Sequence, residues 1–440
     1  MILYTMKCID IKNNDEGMYA RRKEEYRYYD LKEDGKLIQK EKSKMSYYSR
    51  VGNCVNELTE KEYYDIREND IKCYFVEETK YGSEIIDEFN FVNDLFDMIK
   101  CSMNAIGIEY YWIQLITIRN HHEIFKFSNV SVHQKYELNR YILYVGVLGK
   151  DIKGIDIRVN RKLEGYLSEL SSQLRNINDI ILGAYDDFVK KYKNVRVCEG
   201  KYDCILSPEI TGMLIHECVG HMAESDVLEY EEYTKLKCSN KRLSVYDVAD
   251  LIEYPDIPCP LVYDDEGEST TKVCLIYEGS FCQQMISSQS VNYMGTGNVR
   301  MGIDGKKMIR MRNTFLQKGV SHVPEMFKAV KNGYFLSEAS LGCIQKDGEF
   351  QLFVNKAYEI INGCIVSSVE DVMLRGNAFN FLDNISMLSD EIHWHSLICG
   401  KRGSDVFVGV GAPYVKARVE LKPAHSMWNE KVVNDAKKRI

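Results

Sequence analysis

The sequence contains no apolar run long enough to cross a bilayer. Its most hydrophobic stretches, YILYVGVLG and EYYWIQLITI, fall well short of the roughly 20 residues a spanning helix needs, so no membrane partner is expected. The opening residues, MILYTMKCIDIKNNDEG, lack the basic start, unbroken apolar core and small-residue cleavage site of an export signal, and a cytoplasmic protein is expected. Positive charge is also scarce: 57 Lys and Arg stand against 65 Asp and Glu, a formal net charge of -8. That balance implies no basic face and argues against nucleic acid as a partner. The 14 cysteines include no CxxC pair, and their scatter through a long chain reads as small buried core thiols, not a disulfide framework. Internal repeats, low-complexity tracts and a Gly-rich phosphate loop are absent too; Gly295-Thr296-Gly297 lacks the strand-to-helix context of a nucleotide site.

What is there is a globular chain of 440 residues, 45% hydrophobic and longer than one core usually serves, so two domains are expected. The first, 1–197, reads as mixed helix and strand. Alternation on either side of Asp34-Gly35 predicts a hairpin. Ile85, Ile86, Phe89, Val92, Phe96 and Ile99 recur at helical spacing within 83–105, and 140–158 reads as paired strands. Leu163, Tyr166, Leu167, Leu170, Leu174, Ile177 and Ile181 predict one long amphipathic helix, able to bury its stripe on this domain or on a partner. The charged run KKYKNVRVCEGKYD then reads as a solvated linker. From 198 to 440 short β-type runs such as CPLVYDDEGE, KVCLIYEGSF, FQLFVNKAYEIINGCIV and DVFVGVGAPYVKARVEL predict an α+β domain dominated by antiparallel sheet.

Chemistry concentrates in SPEITGMLIHECVGHMAESD. Ser207 can cap a helix whose first position is Pro208, where a missing amide proton costs nothing. Ile210, Met213, Leu214 and Cys218 give that helix an apolar stripe, and it carries His216, Glu217 and His221. Zinc peptidases commonly use HExxH, with histidines four apart on one face. Here the spacing is five, and in a regular helix of 3.6 residues per turn the two rings would diverge by roughly 140°. A π-type turn, which adds one residue, would bring them back together, with Gly220 offering backbone freedom. The competing reading is two histidines satisfied by hydrogen bonds in a helical core.

The helix resembles the HExxxH helix of the TldD/PmbA family of metallopeptidases. The likeness runs on through VYDDEGE, MGTGNVR, IRMRNTF, KAYEIINGCIVSSVEDVMLRGN and CGKRGSDVFVGVGAP, covering 198–420. It implies that the cysteine of CGK, Cys399, is the third metal ligand beside His216 and His221, and that Glu217 is the catalytic base of the HExxxH-bearing, TldD-like type. Two imidazoles and a thiolate leave one tetrahedral position for water, as a catalytic site requires. One divalent ion per chain is expected, zinc first, with ferrous iron compatible with the same donors. Within the matching stretches Asp265, Glu266, Gly295, Asn298, Arg310 and Asn313 are candidates for holding substrate. The Asp264-Asp265-Glu266-Gly267 loop can equally be a solvated turn, and Arg310 and Asn313 can equally brace the sheet.

The segment before Cys399, His393-Trp394-His395, departs from the Gly- and Asp-rich stretch that the resemblance implies. His395, four residues from Cys399, could offer a rival site. The first 190 residues match the family only in outline. The resemblance further implies an extended peptide substrate reaching a metal enclosed in a homodimer or in a heterodimer with a related subunit, serving peptide clearance or maturation of ribosomally made modified peptides. A sheet edge suits such a substrate. Two other functions remain in view: a non-catalytic peptide-binding subunit of a paired complex, and metal-dependent amide hydrolysis on a small molecule.

Overall fold

The computed structural model describes residues 3–5, 17–31, 37–51, 54–58, 75–81, 88–127, 132–150, 156–191, 196–266, 268–290, 295–302, 306–344 and 348–424. The fold is α+β, as the alternating and helical patterns imply.

A first sheet is assembled around the long antiparallel strands Tyr111–Phe127 and Val132–Lys150. Gly17–Leu31 and Leu37–Val51 continue it on one side; on the other, Phe75–Tyr81 and Asp156–Gly165 share the edge of Val132–Lys150. Gly17–Leu31 and Leu37–Val51 pair in register, although Asp34 and Gly35 themselves lie outside the described residues, as do Ile85 and Ile86. Val92, Phe96 and Ile99 of the helix Glu88–Ile106 are buried in the core beneath this sheet.

The long helix expected over 163–181 is instead a strand end followed by two helices, Leu167–Leu174 and Ile177–Lys191. Leu163 pairs with Leu143 as a sheet residue. Spacing of three and four persists across the break at Arg175 because Leu167, Leu170, Ile177 and Ile181 all face the same core, and periodicity reports the face, not the continuity of the backbone. The expected linker is also shorter than its charge pattern implied. Residues 192–195 lie outside the described residues, but Gly200–Leu206 is a strand, its charged first half at the surface and Cys204, Ile205 and Leu206 buried.

That strand enters a sheet running Asn332–Ile344, Gly200–Leu206, Val415–Pro423, Val372–Asn377 and Glu349–Ile361. The last of these also pairs with the first, so the five strands close on themselves. Beside it stands a six-stranded sheet that includes Val245–Val248, Asn313–Leu316, Ser404–Ala412 and, at one edge, His393–Lys401. The helix Pro208–Ile215 touches strands of both sheets and is buried on nearly every side, which explains why its residues are almost uniformly apolar. Among its described residues CPLVYDDEGE forms no strand beyond a single bridge between Tyr263 and Ser269, and its Asp264 carboxylate accepts local and long-range backbone bonds described below. A further cluster, containing Ile118, Leu138 and Ile142 from the first sheet, Phe407 from the six-stranded sheet and Ala249 and Leu261 from the loops beside it, joins the two regions.

Candidate metal centre

The motif helix starts as its sequence requires. Ser207 Oγ accepts from the Ile210 amide at 3.3 Å and donates to the Ser337 carbonyl at 2.6 Å, fixing the helix to the neighbouring strand, and Pro208 occupies the first turn. After Ile215 the backbone changes to a π-helix over His216–Gly220. The widened turn places the His216 and His221 rings edge to face, centroids 4.9 Å apart. Gly220 does not contribute the backbone freedom anticipated for it: its φ of -57° is ordinary right-handed helix. Its role is steric, because a Cβ there would stand 1.9 Å from Sδ of the buried Met311.

Cys399 reaches the histidines from the edge strand. Its Sγ lies 3.1 Å from His216 Nε2 and 3.4 Å from His221 Nε2, and among the described residues these three side chains alone form a His, Cys, Asp or Glu group able to hold an ion, with all donor atoms within 4.8 Å of one another. His216 and Cys399 are buried, and His216 Nδ1 has no hydrogen-bond partner among the described residues. Burial would raise the Cys399 thiol, but the adjoining imidazoles and the Arg310 guanidinium hold it well below the ordinary thiol range. Burial would likewise lower His221; Cys399 and Glu224 reverse that and raise it. Glu217, half-buried beside the three donors, has a carboxyl raised above its usual range, first by burial, with the two imidazoles opposing. Its carboxylate makes no hydrogen bond among the described residues. Two imidazoles and a thiol within bonding reach of one point match the donor set of a catalytic transition-metal site, so the residues present fit such an ion.

Of the six candidates for holding substrate, Arg310 stands against the cluster, where it bonds backbone. Arg310 is fully buried and donates to the carbonyls of Cys399 and Ser404, pinning the turn that follows the cysteine. Asn313 bonds the Val248 carbonyl and both the amide and carbonyl of Cys259, which is bracing of the sheet. Asn298 donates to Asp247 and to the Arg310 carbonyl, Asp265 accepts from the Met301 amide, and Glu266 accepts from Ser287 and Ser288. Gly295 packs against the Ser288 backbone with no room for a side chain. Asp264 accepts from the amides of Glu266, Glu268 and Val299, so the acidic loop is buried scaffolding and not the solvated turn that was its plain alternative; Gly267 lies outside the described residues.

His395 does not join Cys399 in a rival site. Its Nδ1 faces Glu164 Oε1 at 3.3 Å, the other oxygen of Glu164 accepts from the Ser396 amide at 2.7 Å, and Lys162 Nζ donates to the Ser396 carbonyl at 2.8 Å. The strand Asp156–Gly165 is thereby tied to the strand carrying Cys399. His393 is exposed beside Tyr414. Sequence reasoning missed Glu224, which touches His221, and Lys401, which touches Glu224; the available signals were spacings of three after His221 and two after Cys399.

The fold and this donor cluster define a candidate metal-dependent hydrolase. The family model described as the PmbA/TldA metallopeptidase C-terminal domain matches residues 199–420, half of the chain, and the chain belongs to the PmbA/TldD metallopeptidase family. The zinc metalloprotease TldD homolog of Saccharolobus solfataricus is 30% identical over 250 residues, covering 55% of this chain and 56% of that protein. The chain thus spans about half the length of the curated relatives it matches. In three dimensions it is similar to TldE from Thermococcus kodakarensis, with a TM-score of 0.63 at 15% identity over 92% of this chain and 96% of that one. A Thermotoga maritima protein, solved as a suspected modulator of a DNA gyrase, gives a TM-score of 0.66 at 17% identity over 93% and 96% of the two chains. At such identities the likeness is one of fold. No helix among the described residues is long and apolar enough to cross a membrane.

Proposed function

We propose that this chain is a metallopeptidase acting on extended peptides, with His216, His221 and Cys399 holding one divalent ion and Glu217 serving as general base. The observation that carries this reading is the meeting of two imidazole nitrogens and a thiol from positions 178 and 183 residues apart, a set that leaves one of four tetrahedral positions over. Such an ion supplies Lewis acidity, lowering the pKa of a water and polarising a peptide carbonyl. Glu217, whose carboxylate makes no hydrogen bond among the described residues, would accept the proton of such a water on a carboxylate oxygen and deliver it to the departing amine nitrogen. Burial, its first perturbation, raises its carboxyl above the usual carboxylate range, the direction that makes a carboxylate a stronger base. Zinc is the preferred ion, and ferrous iron suits the same donors.

The reading assigns 198–440 as the metallopeptidase domain and 1–197 as a separate α+β domain. It places the protein in the cytoplasm, clearing peptides or maturing ribosomally made modified peptides, as a homodimer or beside a related subunit. Retention of Glu217 beside the donors favours a catalytic chain over a purely peptide-binding one. The deciding test digests a mixed peptide pool with and without a chelator. Chelator-sensitive cleavage supports the proposal, whereas an intact pool across added candidate subunits contradicts it. A stable folded protein should survive under conditions that degrade short peptides of its own sequence, and internal cleavage of the folded form would refute the extended-substrate part.

A further inference from the structure

Glu224 and Lys401 stand one step outside the three donors, each attached to a different half of the set. Glu224 follows His221 by three residues, and its Oε2 lies 3.0 Å from His221 Nδ1. Lys401 follows Cys399 by two residues, on the same face of the edge strand. Its Nζ meets Glu224 Oε2 at 2.9 Å, Asp226 Oδ1 at 2.6 Å and the Ile309 carbonyl at 3.1 Å. Three acceptors match the three hydrogens of an ammonium, which leaves the lysine no free rotation. Glu224 is fully buried and, among the described residues, its Oε1 has no partner, so its carboxylate bonds there only His221 and Lys401.

We propose that Glu224 and Lys401 are positioning residues for the metal site, forming a latch between the end of the motif helix and the Cys399 strand. A carboxylate at Nδ1 holds the imidazole in the Nδ1–H tautomer and presents Nε2, the nitrogen that points at Cys399, as the free donor. Lys401 fixes the carboxylate and, through its own strand, the distance from that imidazole to the thiol. Buried ion pairs are weak sources of net stability, since desolvation offsets their attraction. What this one supplies is geometry: the ligands brought by the helix and by the strand are held together before any ion arrives.

The inference rests on the metal-site reading above, and the test separates the two. Full-length wild type, Glu224→Gln, Lys401→Met and the double variant are stripped of metal and titrated with cobalt(II) against a chromophoric chelator, with far-UV circular dichroism checking the fold. Each single variant should bind roughly 10- to 100-fold more weakly, the usual cost of losing an outer-shell partner. The double variant should lose no more than the weaker single, because the two groups act as one unit. The thiolate-to-cobalt absorption band should weaken or shift in all three. If a single variant fails to fold, the uncharged double variant, which leaves no lone buried charge, carries the comparison. Wild-type affinity and spectrum in the folded variants overturn the latch while leaving the metal site intact; a wild type that binds no cobalt overturns both.

Discussion

Replacing Gly220 with alanine sets two effects of opposite sign against each other inside the π-turn. Gly220 has helical angles, and alanine in a helix is favoured over glycine by about 1 kcal/mol, so backbone reasoning alone predicts a more stable protein. The added methyl, however, would sit 1.9 Å from Met311 Sδ and 3.1 Å from its Cε, where ordinary contact is near 3.5 Å or more. Met311 is 1% exposed within the main core, so it cannot swing clear into solvent. Overpacking of this kind costs about 1–3 kcal/mol, and an overlap this deep belongs at the upper end, leaving a net loss of about 2 kcal/mol. Gly183 is the control. It also lies in a helix, but a Cβ there meets nothing nearer than Arg161 Nη2 at 3.8 Å. Gly183→Ala should therefore stabilise by about 0.5–1 kcal/mol. Thermal melts of both variants beside wild type decide the matter: Gly183→Ala should melt higher and Gly220→Ala several degrees lower, with weakened metal binding. A Gly220→Ala protein as stable as wild type would refute the close packing of the π-turn on Met311.

Glu217→Gln should retain bound metal while turnover falls about 100- to 10,000-fold, the usual share of a general base, as read by metal content and peptide cleavage together. Glu164→Gln strips the charge partner from half-buried Lys162, which keeps its bond to the Ser396 carbonyl, and should cost about 1–3 kcal/mol by thermal or denaturant unfolding. Burial would raise the Glu164 carboxyl, but Lys162 and His395 hold it far below its usual range. Its folded-state pKa being depressed, its contribution is present above the unfolded value near 4.5 and is lost as pH falls below it, so the gap between wild type and Glu164→Gln should narrow in that acid range. Cys218→Ala, on the apolar side of the motif helix, should keep metal and activity with only a packing loss of about 1–2 kcal/mol.

The spacing of His216 and His221 made the π-turn legible, because 3.6 residues per turn admit no other way to bring the two rings together. Cys399 was visible only through family resemblance: a residue 178 positions away leaves no local pattern pointing at a helix. The helix break at Arg175 was hidden because both pieces face one core, and the short strands after 198 were legible as an antiparallel class without their closure into a ring. Asp264, Asn298, Arg310 and Asn313 show a different limit. Polar side chains that bond distant backbone look the same in sequence as polar side chains that await a ligand, and only the fold reveals that the Asp264 carboxylate is spent on Val299. Nothing near Lys162 and Glu164 in the sequence points to Ser396 and His395, which lie against them in the fold.

The most direct measurement is metal content after equilibrium dialysis against a low concentration of zinc, for wild type and for Cys399→Ala. Wild type should hold about one ion per chain, the stoichiometry of a single catalytic site, and Cys399→Ala should hold almost none at the same free concentration while melting close to wild type in the metal-free state. Full occupancy in folded Cys399→Ala would contradict the three-donor centre on which the proposed peptidase depends.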